Sequence, residues 1–220
     1  MLRNRLNPLN LLNPDQRSNS LRVFFVFFFI YFTYAIITST SESLFYHEFG
    51  GTKAPHVWLI SILFLGLAVS SYSYFQKKLG VQRLFGFTVL AAVASILVCL
   101  QVAAAGQTWA AYGLFIIKEV YIVLIVHLGI GYCNSYFSLN QAKLIYGFFG
   151  ALGSLGSIIG GYSTPYLIDF FGTKGALLLA VFILLIPAIL FMTTKKAQHS
   201  GPGLKKAPLK SLGPVKKYVG

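Results

Sequence analysis

Lys118 and Glu119 stand side by side inside an otherwise apolar segment, Ala110 to Tyr132. An ammonium and a carboxylate in such a place can meet a charged solute, pass a proton, or lock helices together. Glu119 suits a coupling proton or a cationic group, and Lys118 an anionic group such as a phosphate. Neighbouring side chains on a helix point about 100° apart, so the spacing predicts that these two do not pair ideally with each other. His127, at i+8 from Glu119, and Asn134, at i+15, fall with it inside an arc of roughly 80°. That makes a polar stripe along one side of the helix. Tyr121, at i+3 from Lys118, belongs to the lysine's side or simply to packing. Glu42 closes a second polar run, Thr38 to Ser43, whose hydroxyls either line a watery path or bond back to their own helix carbonyls. His47 and Glu48 read as solvated loop residues, and Asp169 to Lys174 as a turn with a local charge attraction. There is no Gly-x-Ser-x-Gly, His-Glu-x-x-His, Cys-x-x-Cys or phosphate-binding loop, and the 4 histidines are scattered. An enzyme is therefore not expected, and neither is a metal or cofactor.

The elements that position these groups follow from composition. Of 220 residues, 56% are hydrophobic and only 10% are charged, against roughly 25% charged in soluble domains. Lipid must be the solvent. A spanning helix takes roughly 20 mostly apolar residues, and apolar runs lie at about 23–40, 57–75, 84–104, 110–132, 142–166 and 175–192. No sustained period of two argues for a β-barrel. Backbone groups in lipid must pair within the segment, which leaves helices. The fold class is thus an all-α integral membrane protein of six transmembrane helices. Residues 1–22 form a cytoplasmic N-terminal tail, 23–194 the membrane domain and 195–220 a basic flexible tail or linker. The N-terminus is too polar, and its first apolar run too long, for a cleavable signal peptide.

Charge placement orients the helices. Of 18 Lys and Arg residues, 15 lie in the N-tail, the 2–3 loop, the 4–5 loop and the C-tail. Lys53 and Lys174 lie on the other side, and Lys118 is within a span. This asymmetry puts both termini in the cytoplasm. It also explains the net charge of +13 without a nucleic-acid partner; the expected surroundings are a lipid bilayer. Cys99 and Cys133 lie in or beside apolar runs and read as free thiols. The fifth run repeats glycine every three or four residues, and Gly150, Gly153, Gly156 and Gly160 are expected to let another helix approach closely. Pro165 is expected to kink or end that helix.

Six spans, cytoplasmic ends and the basic loop Lys77-Lys78-Leu79-Gly80-Val81-Gln82-Arg83 resemble the N-terminal half of a major facilitator superfamily transporter. In that loop Lys77, Lys78, Gly80 and Arg83 resemble the superfamily's Asp-Arg-x-Gly-Arg-Arg signature, without its acidic residue. Gly156-Ser157-Ile158-Ile159-Gly160-Gly161 resembles its Gly-Pro-x-x-Gly-Gly element, with Ser157 in the proline's place. Ala142 to Gly153 looks like the Ala-Lys-Arg-Phe-Tyr-Pro-Leu-Phe-Gly-x-Gly-Ala stretch of ATP/ADP-translocase-type nucleotide transporters of plastids and intracellular bacteria. Lys118-Glu119-Val120-Tyr121 looks like their Ala-Glu-Leu-Trp, Asn134 falls on the Asn ending that helix, and Glu42-Ser43-Leu44 on their Lys-Asp-Thr-Leu run. The family's helix-one lysine falls on Ser41 and a following glutamate on Ser135.

The resemblance implies a secondary transporter working by alternating access on a small solute, a nucleotide or another anionic metabolite. Its pathway residues would be Lys118, Glu119, Tyr121, His127, Asn134 and Glu42. It further implies a second six-helix half, from the same gene, a split gene or a second copy, and a bacterial inner membrane location. The alternative is a non-transporting subunit or a truncated half-transporter without activity of its own.

Overall fold

A computed structural model describes residues 14–195 of the chain. The tail before residue 14, with Arg3 and Arg5, and the basic tail from residue 196 lie outside the described residues. Among those described there is no strand. The helices are α1 (Pro14–Phe49), α2 (Ala54–Leu79), α3 (Val81–Ala104), α4 (Trp109–Tyr136), α5 (Leu139–Ile183) and α6 (Leu185–Met192), with a short 3-10 turn at Gly51–Lys53 between α1 and α2. Five stretches are long and apolar enough to cross a membrane, the last running unbroken in this count from Ile145 to Met192.

Helices α1 to α5 outrun their apolar stretches, because helical pairing satisfies backbone groups beyond the lipid as well as within it. Thus α1 begins at Pro14, well before the apolar run at Val23, and takes in Arg17 and Arg22. Between α2 and α3 the link is one residue, Gly80, at φ 73°. A left-handed φ suits glycine, so the basic loop is a hairpin bend and not a spacer.

A straight 45-residue α5 would be about 68 Å long at 1.5 Å per residue, against a hydrocarbon core of about 30 Å. It is not straight. Gly172 has φ 70° and ψ 168°, which breaks it into two limbs. Pro165 does not end the helix as expected; the backbone stays helical through it to the break at Gly172. The chain turns back there. Gln141 bonds Gln16 at one end of the bundle, Lys174 borders a small cavity with Glu48 and Gln107 at the other, and Phe191 returns to stack on Phe85 at 4.0 Å.

The core is an α1–α4–α5 wall. Helices α1 and α4 run antiparallel in steady register: Phe49 meets Trp109 and Tyr112, Phe45 meets Phe115, Tyr34 meets Tyr121, and Phe27 fills the gap left by Gly129. Helix α5 runs parallel to α1. Phe149 stacks on Phe27 at 4.5 Å; further along, Gly153 lies under the Tyr31 ring, and Gly156 and Gly160 lie against the main chain at Phe28 and Phe32. Gly150, expected in this face, does not join it. A Cβ there would meet nothing within 4 Å, because Gly150 is about 100° further round the helix than Phe149, which faces α1, and so points away from it. Among the described residues helix α2 buries Val57, Ser61 and Tyr72, and shows most of its apolar side chains outward.

At the end where α1 starts, buried Asn19 donates to the Tyr132 hydroxyl at 2.8 Å, which donates to the Lys195 carbonyl at 2.6 Å. Arg22 and Gln82 reach the carbonyls of Thr193 and Thr194. Side chains of α1, α3 and α4 thus pair the carbonyls of the turn that follows α6, Thr193 to Lys195.

Candidate functional site

Lys118 is 1% exposed, the largest charged group buried in the bundle. It lies nine residues past Trp109, so about 14 Å along the axis from that end and roughly a third of the way along α4. The antiparallel register of α1 and α4 brings Glu42 to the same height. The Lys118 ammonium donates to Glu42 Oε1 at 3.0 Å and to Glu119 Oε1 at 2.6 Å. It also sits 4.1 Å from the centre of the Phe115 ring. Among the described residues both ion pairs belong to this lysine.

The pairing with Glu119 differs from the expectation for adjacent residues. The four-carbon stem of lysine is long enough to cover the angular offset. Away from water, the ammonium turns to the nearest carboxylates. A lone lysine at mid-span costs ~2.5–3.5 kcal/mol or more, and two charge-assisted hydrogen bonds offset that. The carboxylates are placed differently: Glu42 is 37% exposed and Glu119 35%. The site therefore has a buried positive centre and an open, negative rim.

The hydroxyl run before Glu42 divides. Ser39 and Thr40 donate back to the carbonyls of Ala35 and Ile36. Thr38 and Ser41 have buried hydroxyl oxygens with no hydrogen-bond partner, so the run is only partly absorbed by its own helix. The sequence marks these two as members of the Thr38 to Ser43 run without separating them from Ser39 and Thr40, and does not single out Phe115; a hydroxyl at i−4 from a membrane carboxylate is the signal that Thr38 carries.

The other expected residues do not converge on the triad. His127 and Asn134 lie on the exposed side of α4 with Glu119, but about 12 Å and 22 Å further along the axis. The His127 ring meets the edge of Tyr72 on α2 at 5.7 Å. Asn134 accepts from the Tyr146 hydroxyl and so ties α4 to α5. Tyr121 is 3% exposed, packs against Tyr34, and its hydroxyl has no partner. In the basic loop, Lys78 donates to Tyr74 at 2.7 Å and Arg83 is exposed in the first turn of α3. Lys77 lies in the last turn of α2. Asp169 is helical, and the turn beside it is made by Gly172.

Neither the curated proteins nor the solved structures contain a match to this chain. The family model of the Major Facilitator Superfamily matches residues 23–219, which takes in every helix of the bundle. The chain belongs to the major facilitator superfamily.

Proposed function

We propose that the chain moves a small solute across a membrane by alternating access, with Glu42, Lys118 and Glu119 on the solute pathway. Members of this superfamily are secondary transporters and not enzymes, which sets the general function. One observation carries the finer reading. Two partly exposed carboxylates flank a buried lysine within the apolar stretches of α1 and α4. Partly exposed charge is costly in lipid and is kept where it faces a watery cavity or an opposing wall.

The reading includes the wall that this chain does not supply. Counting the limb of α5 before Gly172 as one span, and the limb after it together with α6 as another, we take the bundle as six spans with both ends cytoplasmic, forming one half of a transporter. A second six-helix half would close the pathway, since transporter sites lie between repeats near the midplane. The membrane is taken as a bacterial inner membrane. Tyr121, His127 and Asn134 are assigned to the same pathway, on the inner side of the triad. A nucleotide or other anionic metabolite is one solute to test, on the resemblance of α4 and α5 to nucleotide transporters.

The experiment is uptake of labelled nucleotides and other charged metabolites into cells expressing the intact gene. Glu119→Gln and Glu42→Gln are expected to reduce uptake at least tenfold at unchanged membrane abundance. Unchanged uptake in both would remove the triad from the pathway.

A further inference from the structure

The charge arithmetic of the triad bears on what it binds, on the reading that it faces the pathway. Lys118 already has a carboxylate on two of its N–H groups and an aromatic face 4.1 Å from its nitrogen. It is 1% exposed. An incoming anion would have to displace a glutamate from it and then lie beside the carboxylate it displaced. The sequence has no other Lys or Arg between Arg83 and Lys143, so α3 and α4 bring no second cation to this height. The charge that faces outward is carried by Glu42 and Glu119, and with all three groups ionised the site has one negative charge in excess.

The carboxylates are also incompletely used. Lysine takes Oε1 of each, at 3.0 and 2.6 Å. One turn before Glu42, and on the same face of α1, Thr38 has a buried hydroxyl oxygen with no partner; the hydroxyl of Ser41, fully buried, is also unpartnered. Ser39 and Thr40 in the same run are satisfied by the helix, so the two idle oxygens are not a general property of the segment. Buried polar atoms without partners are rare and call for an explanation. Carboxylate and hydroxyl oxygens together are ligands for positive charge.

We propose that the Glu42–Lys118–Glu119 site takes a cationic group, and that Lys118 is the internal counter-charge that holds the two carboxylates in place, not a phosphate receptor. The shared chemistry is one positive charge on a small group, supplied either by an amine-bearing solute or by an inorganic coupling cation.

The test reads the local field directly. Val123 is 41% exposed and lies one turn beyond Glu119 on the same side of α4, about 6 Å along the axis. Val123→Cys is placed in a Cys99→Ser, Cys133→Ala background of the full chain in membrane vesicles. It is labelled with a cationic and an anionic methanethiosulfonate, each rate normalised to that of a free thiol. The cationic reagent is expected to react about tenfold faster, as for a small charged cleft, and Glu42→Gln or Glu119→Gln to bring the ratio towards one. Sodium chloride slowing the reaction identifies an inorganic coupling ion; methylammonium chloride slowing it identifies an amine solute. Equal or faster reaction of the anionic reagent, or protection by inorganic phosphate in preference to either cation, overturns the cation assignment and leaves the pathway reading standing. No reaction with either reagent means that water does not reach this height, and then the pathway reading falls as well.

Discussion

Gly156 of α5 lies directly on the main-chain carbonyl of Phe28 in α1, with no room for a Cβ between them. Four residues on, Gly160 repeats the contact at Phe32. Main chain cannot step aside as a side chain does, so these two positions set the closest approach of the bundle's most intimate helix pair. Small residues bring helices together in lipid because association there rests on close packing.

Gly156→Ala and Gly160→Ala are each expected to destabilise the protein by about 1–3 kcal/mol, the range for overpacking. Gly147→Ala, Gly150→Ala and Gly161→Ala, where a Cβ would meet open space, are expected to be near neutral. Thermal unfolding in detergent separates the two groups. Equal losses in both would refute the close-contact account.

Lys118→Ala is expected to cost more than either single glutamate change. It leaves two carboxylates facing each other without the ammonium between them. Breaking a buried pair typically costs ~3–5 kcal/mol, and the partial exposure of both glutamates lowers that to about 2–3 kcal/mol. Adding Glu42→Gln to Lys118→Ala should restore part of the loss, giving a positive coupling in a double-mutant cycle. Additive losses would show that the groups do not interact.

Tyr132→Phe keeps the ring against Phe191 and Tyr136 but removes the hydroxyl that joins Asn19 to the Lys195 carbonyl. Buried Asn19 and the part-buried Lys195 carbonyl then lose a partner, at about 1–3 kcal/mol in total. Hydrogen exchange should rise at the end of α6 before it rises elsewhere. Unchanged protection there would mean that the clasp does not hold the helix end.

Gly80 and Gly172 both have left-handed φ with open space around them, so substitution costs conformational energy alone. With ψ at 168°, Gly172 lies in the extended positive-φ region that only glycine enters readily, so Gly172→Ala and Gly172→Asn are each expected to lose about 1–3 kcal/mol. Melting temperatures unchanged from the parent in both variants would contradict this.

The sequence by itself determined the solvent and the helical class. Each follows from local chemistry: apolar runs of spanning length, and backbone groups that must pair within their own segment. It also marked Lys118, Glu119 and Glu42, since a charge within an apolar run is visible without a fold. Only the tertiary structure decided which of these groups meet. The contact of Lys118 with Glu42 depends on the height and rotation of two helices 76 residues apart in sequence, and residue spacing within one helix has no information about either. The same holds for glycine. Spacing put Gly150 with Gly153, Gly156 and Gly160, but which part of that broad face meets α1 depends on the rotation of α5, and Gly150 is left in open space while Phe149 beside it packs on Phe27. The clasp at Asn19, Tyr132 and Lys195 was illegible for a further reason. Its members stand at the ends of α1, α4 and α6, and only the closing of the bundle makes them neighbours.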